Sequence, residues 1–159
     1  MTQVIASTTA DDVESSRQIV VGIDGSDCSK AALAWAAHQA ELTGSPLMAV
    51  STWEWPTSYG APIYWPENID FEEDARNSLK QSVKEVLGSE DHPDVTQSVL
   101  NGHPAPILED LSRSASLIVV GSRGHGEFAG MLLGSVSEFL ATHAHCPIVI
   151  VRGVDKDTE

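Results

Sequence analysis

The stretch from Leu117 to Val151, LIVVGSRGHGEFAGMLLGSVSEFLATHAHCPIVIV, constrains the fold more than any other part of the chain. It opens with Leu117-Ile118-Val119-Val120, a short β-branched run of the length of a buried strand. Gly121 ends the run, and Gly124, Gly126, Gly130 and Gly134 follow before a helical pattern begins at Ser135. A strand that breaks into a glycine-rich loop and enters a helix is an anion cradle in outline. Glycines admit backbone N–H groups close to a negative group, and the helix N-terminus adds free donors and a positive dipole end.

The remaining segments supply the elements such a cradle needs. Gln18 to Ile23 reads as a buried strand that stops at the turn cluster Asp24-Gly25-Ser26-Asp27. Ser29 to Leu42 carries an amphipathic helical pattern, closed by Gly44 and Pro46. A second strand is expected at Leu47 to Thr52, and an aromatic- and proline-rich connection, Trp53 to Glu67, follows it. Helix signals resume at Asn68, with Asp70 and Glu73 fitting an N-terminal cap and Gly88 a C-terminal stop. Asp94 to Leu100 alternates as an edge strand does, and Pro104 is placed for the first turn of the next helix. A helix from Ser135 to about His145 and a strand from Pro147 to Val151 complete the order.

Strand and helix therefore alternate four times before a closing strand. That order predicts an open parallel α/β sheet with helices on both faces, joined by right-handed crossovers. Ligands of such sheets bind at the carboxyl ends of the strands, where the strand order reverses. If the first strand lies beside the fourth, the Asp24 turn and the Gly121–Gly134 loop face each other. A single domain over 18–152 is expected, with a disordered polar tail at 1–17 and another tail at 153–159.

Charge and composition exclude several classes. A net charge of −14 argues against nonspecific nucleic-acid or anionic-membrane partners, while leaving room for a small anion held by local N–H groups. No apolar run approaches the roughly 18 residues of a membrane span, and the first residues lack the pattern of a signal peptide. Cys28 and Cys146 make no disulfide framework, which suits a cytoplasmic protein.

The spacing Gly121-x2-Gly124-x9-Gly134-Ser135, with VVGIDGS at Val20 to Ser26 and HCPIVIVR at His145 to Arg152, resembles the universal stress protein family, in particular its ATP-binding subgroup. The resemblance runs in order from Gln18 to Arg152. It implies a five-stranded sheet of order 3-2-1-4-5, a homodimer through the last strand, and an ATP site, possible Mg2+ included. Val149 and Val151 on an unpaired edge would also call for cover.

The resemblance assigns site residues, each with an ordinary structural alternative. Asp24 matches the acid that contacts nucleotide or metal, and would equally serve as a turn and helix cap. Gly22 would let the ligand approach the first strand, or let a helix pack there. Val50 matches the position whose backbone meets adenine; in isolation it is a core residue. Gly121, Ser122, Arg123 and Gly124 would wrap ribose and the first phosphates, with Arg123 otherwise a surface cation. Gly134, Ser135 and Val136 would hold the later phosphates, although Ser135 and Glu138 also spell a capping box. Apart from the resemblance, His125 stands in the loop where a second cation could have been, and would meet phosphate when protonated or point to solvent. Trp53, Trp55, Tyr59, Tyr64 and Trp65 would form a lid over adenine, an interface patch, or loop packing.

Other chemistries fit less well. Adjacent His145 and Cys146 with His143 do not make a metal site. Gly134-Ser135-Val136-Ser137 lacks the second glycine of a nucleophile elbow, and the loop lacks the lysine of a Walker site. The glycines follow the fourth strand, against the Rossmann fingerprint. The expected function is an ATP-binding stress-response regulator without catalysis, ahead of a slow ATPase using Asp24 or an interaction module with incidental nucleotide.

Overall fold

The computed structural model describes residues 18–56, 68–125 and 130–153. The expected tail at 1–17, residues 154–159 of the expected tail at 153–159, residues 57–67 of the aromatic connection, and Gly126 lie outside the described residues. The elements are β1 (Ile19–Gly22), α1 (Asp27–Thr43), β2 (Leu47–Trp53), α2 (Phe71–Leu87), β3 (Val95–Asn101), α3 (Pro104–Ser112), β4 (Leu117–Gly121), α4 (Ser135–His143) and β5 (Ile148–Val151). The five strands form one sheet in the order β3-β2-β1-β4-β5, and every pairing is parallel. The alternating order and the edge position of β3 follow the sequence expectation.

Each strand distributes its side chains between two apolar layers, as a period of two requires. Ile19, Val21 and Ile23 pack with Leu33 and Ala36 of α1 and with Leu79 and Val83 of α2. Val20, Ile118 and Val120 pack on the other face with Leu108 of α3 and Leu140 of α4. The central strand β1 is therefore enclosed on both sides, which explains its unbroken apolar sequence.

Local chemistry sets the helix ends. Ser26 caps α1 by accepting a hydrogen bond from the Ser29 N–H at 3.2 Å, so the helix begins at Asp27, two residues before the position expected. Asp70 accepts from the Glu73 N–H at 3.0 Å, which places the start of α2 at Phe71 rather than Asn68. Gly44 and Gly88 adopt left-handed φ values of 65° and 85° at the two C-caps.

One close approach positions the site. A Cβ placed on Gly121, at the end of β4, would lie 2.8 Å from both the carbonyl carbon and the Cβ of Cys28, and 2.9 Å from the Ser29 nitrogen. The absence of a side chain lets the end of β4 press on the first turn of α1. The backbone of a capped helix cannot yield as a side-chain tip can. Gly121→Ala is therefore expected to lower stability by about 1–3 kcal/mol, measured as a lower urea midpoint at unchanged slope; an unaltered midpoint would refute the contact's importance.

Candidate functional site

A cavity of about 460 Å3 opens at the carboxyl ends of the strands. It lies where β1, β2 and β4 diverge into their loops, with β1 paired to β2 on one side and to β4 on the other. Nine of the ten residues that the resemblance assigns to the nucleotide line it, Gly22, Asp24, Val50, Gly121, Arg123, Gly124, Gly134, Ser135 and Val136, and so does His125. The tenth, Ser122, is 2% exposed and is not among the lining residues. Its N–H donates to Val151 O at 2.8 Å. Its carbonyl accepts from the Gly134 N–H at 2.6 Å and lies 3.0 Å from Ser137 Oγ. Ser122 thus fastens the base of the glycine loop, holding the start of α4 against the end of β4.

The start of α4 differs from the capping-box expectation. Gly134 is the N-cap and no side chain caps the helix, while Ser135 is already its first helical residue. The first intrahelical bond runs from the Glu138 N–H to Gly134 O at 2.9 Å. The N–H groups of Ser135, Val136 and Ser137 consequently lack an intrahelical acceptor, and all three residues line the cavity. An uncapped positive helix end facing a cleft favours an anion there.

Asp24 stands opposite. One of its oxygens, Oδ1, accepts from the Ser26 N–H at 2.9 Å and from the Ser26 hydroxyl. A Cβ on Gly124 would fall 2.5 Å from the other, Oδ2, so the glycine makes room for this carboxylate. Asp24 faces the open cavity and is exposed by area, yet enough protein surrounds it to impose a desolvation cost. Burial alone would raise its pKa. The hydroxyl and N–H of Ser26, the Ser29 hydroxyl and the charge of His125 outweigh that effect and hold the carboxyl below its ordinary value.

The ionisable residues among the described lining are Asp24, His103, Arg123 and His125. His103 was not singled out from the sequence, nor were Ser51 and Thr52 of β2, or Ala75 and Ser78 of α2. The available signal for His103 was its place between the end of a strand and a helix-initiating proline, at the sheet edge where ligands bind. Val50 O already accepts the Ile23 N–H at 2.8 Å. Pairing of β2 with β1 ends at Gly22↔Val50, whereas pairing with β3 continues to Trp53↔Asn101. The edge of β2 beyond Val50 therefore lies open on the β1 side.

The aromatic residues split. Trp53, Trp55 and Phe71 meet edge to face, with centroid separations of 5.8 and 5.4 Å, and Trp55 is 60% exposed. Neither tryptophan lines the cavity; Tyr59, Tyr64 and Trp65 lie outside the described residues. His143 stacks on Phe139, and His145 Nε2 lies 3.4 Å from Glu109 Oε1. Among the described residues, no group of three or more His, Cys, Asp or Glu could hold a metal, and no helix is long and apolar enough to cross a membrane.

Fold and cavity together define a doubly wound α/β protein whose switch-point crevice presents an uncapped helix end. The chain belongs to the universal stress protein family, whose family model matches residues 15–152. It is 37% identical over 152 residues to the universal stress protein Rv2623 of Mycobacterium tuberculosis, an alignment spanning 89% of this chain and 49% of that protein. The chain spans about half the length of the curated relatives it matches. Among solved structures, the universal stress protein UspA from Lactobacillus plantarum shares the fold, with a TM-score of 0.66, 22% identity and coverage of 86% of this chain and 97% of that one. A universal stress protein solved in complex with cAMP has a TM-score of 0.60 and 26% identity, over 85% of this chain and 95% of its own.

The environment of Asp24 has a pH signature. A carboxyl whose folded pKa is depressed stabilises the fold above its unfolded value, near 3.8, and loses that contribution as pH falls through the folded value. The wild type should accordingly lose stability relative to Asp24→Asn only below about pH 4. Equal acid dependence of the two proteins in urea titrations would contradict this environment.

Proposed function

We propose that this protein binds ATP at the switch-point cavity and acts as a nucleotide-dependent regulator in the stress response. The observation that carries the proposal is the uncapped N-terminus of α4, fastened by Ser122 opposite Asp24 in one cavity. The cavity falls in the size range of small-molecule sites. The glycine positions accommodate backbone approach, and the 26%-identical relative solved with cAMP supports an adenine nucleotide as the ligand class.

In this reading Gly134, Ser135 and Val136 hold the later phosphates, Gly121, Arg123 and Gly124 flank the first, and Asp24 meets ribose or a Mg2+ carried by the nucleotide. Ser122 contributes by holding the loop rather than by its hydroxyl. Gly22 and the open edge of β2 beyond Val50 flank the base. The two cysteines, present as thiols, fit a cytoplasmic protein.

Hydrolysis is the weaker alternative. A carboxyl held below its ordinary pKa is a poor acceptor for the proton of an attacking water. Among the described residues no lysine lines the cavity to assist phosphoryl transfer. An interaction module is the other alternative; among the described residues the exposed Trp35, Leu42, Trp55, Met131 and Leu132 favour it.

Calorimetry of the purified chain with ATP, with and without Mg2+, should show saturable one-site binding. No binding under either condition would sink the proposal. We also propose a homodimer through β5, whose Ile148, Val149, Ile150 and Val151 are only half-buried on the edge of the sheet. Sedimentation at micromolar concentration should give twice the monomer mass; monomer alone would refute it.

A further inference from the structure

We infer that His103 is a specificity residue of the cavity, donating a hydrogen bond from Nε2 to a ring-nitrogen acceptor of the nucleotide base. The inference rests on the nucleotide reading and deepens it, by naming what selects the base end of the ligand.

Three observations converge on His103. First, it lines the cavity, as do Thr52 of β2 and Pro104 and Leu108 of α3. Second, it is the N-cap of α3, and its Nδ1 accepts the Ala105 N–H at 3.4 Å. A backbone amide can only donate, so Nδ1 carries no proton in this arrangement and the ring proton resides on Nε2. With Nδ1 turned back on its own helix, Nε2–H is the ring donor that remains available on this exposed residue of the cavity wall. Third, the turn bearing His103 is tied to β2, because the Gly102 N–H donates to Trp53 O at 2.9 Å.

The topology decides which part of the ligand His103 meets. It follows β3, whereas the helix end proposed for phosphate follows β4, and β2 and β1 lie between those strands. Three strand spacings correspond to about 14 Å at the carboxyl edge. With phosphates on α4, the β2–β3 side takes the base. There, the open backbone edge of β2 beyond Val50 offers polar groups in line with the strand. A neutral Nε2–H donor beside that edge suits a base nitrogen with a lone pair.

The capping bond also separates ligand contact from structure. His103→Ser retains a good N-cap residue and removes the Nε2 donor. His103→Ala removes both. Thermal unfolding should therefore show wild-type stability for His103→Ser and a loss for His103→Ala.

The deciding experiment is a double-mutant cycle by calorimetry, with wild type and His103→Ser each titrated with ATP and its 1-deaza, 3-deaza and 7-deaza analogues. In each analogue one ring-nitrogen acceptor is replaced by carbon. One analogue should bind the wild type about fivefold more weakly than ATP, the size of a single neutral hydrogen bond. His103→Ser should bind ATP about fivefold more weakly and show no further loss with that analogue. The inference is overturned if no analogue is coupled to position 103, or if His103→Ser binds ATP as tightly as the wild type. A wild type that binds ATP with no such coupling removes this inference alone. A wild type that binds no adenine nucleotide removes the functional proposal as well.

Discussion

The pairing of β1 with β4 organises the molecule. Ile19, Val20 and Val21 lie in register with Leu117, Ile118 and Val119, joining segments far apart in the chain. Because β2 already occupies the other edge of β1, the connections that follow β1 and β4 leave towards opposite faces, α1 on one and α4 on the other. The gap between their loops is the cavity. The same pairing brings Gly121 against Cys28 and Ser29, so the first turn of α1 and the exit of β4 share one contact. Loss of that register would separate Asp24 from the glycine loop, whatever the local sequence of either.

The electrostatics of the cavity differ from those of the chain. A protein of net charge −14 repels anions at long range. Within the crevice, three helical N–H groups without intrahelical acceptors and the side chains of Arg123 and His125 act at contact distance, where screening by solvent matters least. Asp24 opposes them with one negative charge and is itself stabilised as the carboxylate by Ser26 and Ser29. This balance favours a ligand that presents an anion to α4 and hydroxyls or a metal ion to Asp24. A fully anionic ligand would meet repulsion at the β1 side.

What could be read from the residues was whatever local chemistry decides. The alternation of runs, Asp70 as a cap, Gly44 and Gly88 as stops, and Pro104 opening a helix depend on neighbours in sequence, and the structure has each of them. The misjudged features depend on tertiary partners. Ser135-x-x-Glu138 spells a capping box, but the Gly134 N–H is bound to Ser122 O, which places Gly134 at the cap and Ser135 inside the helix. The family resemblance assigns Ser122 to ribose and the first phosphates; in the structure it is buried beneath the cavity and its backbone closes the loop. Ala75 and Ser78 reach the cavity only because α2 packs over β2, which no periodicity within α2 reveals.

The glycine signature itself divides into separate physical tasks. Gly121 exists for close packing on α1, Gly124 leaves space for Asp24 Oδ2, and Gly134 caps α4 without a side chain to occupy its free N–H groups. Gly134 leaves the start of α4 without a side-chain cap, while Gly121 and Gly124 also fix where α1 and Asp24 stand against the crevice. A spacing that resembles a single phosphate loop is therefore a joint description of strand–helix packing, acid placement and a bare helix end. The signature specifies the shape of the crevice first, and a bare helix end facing such a crevice suits an anion.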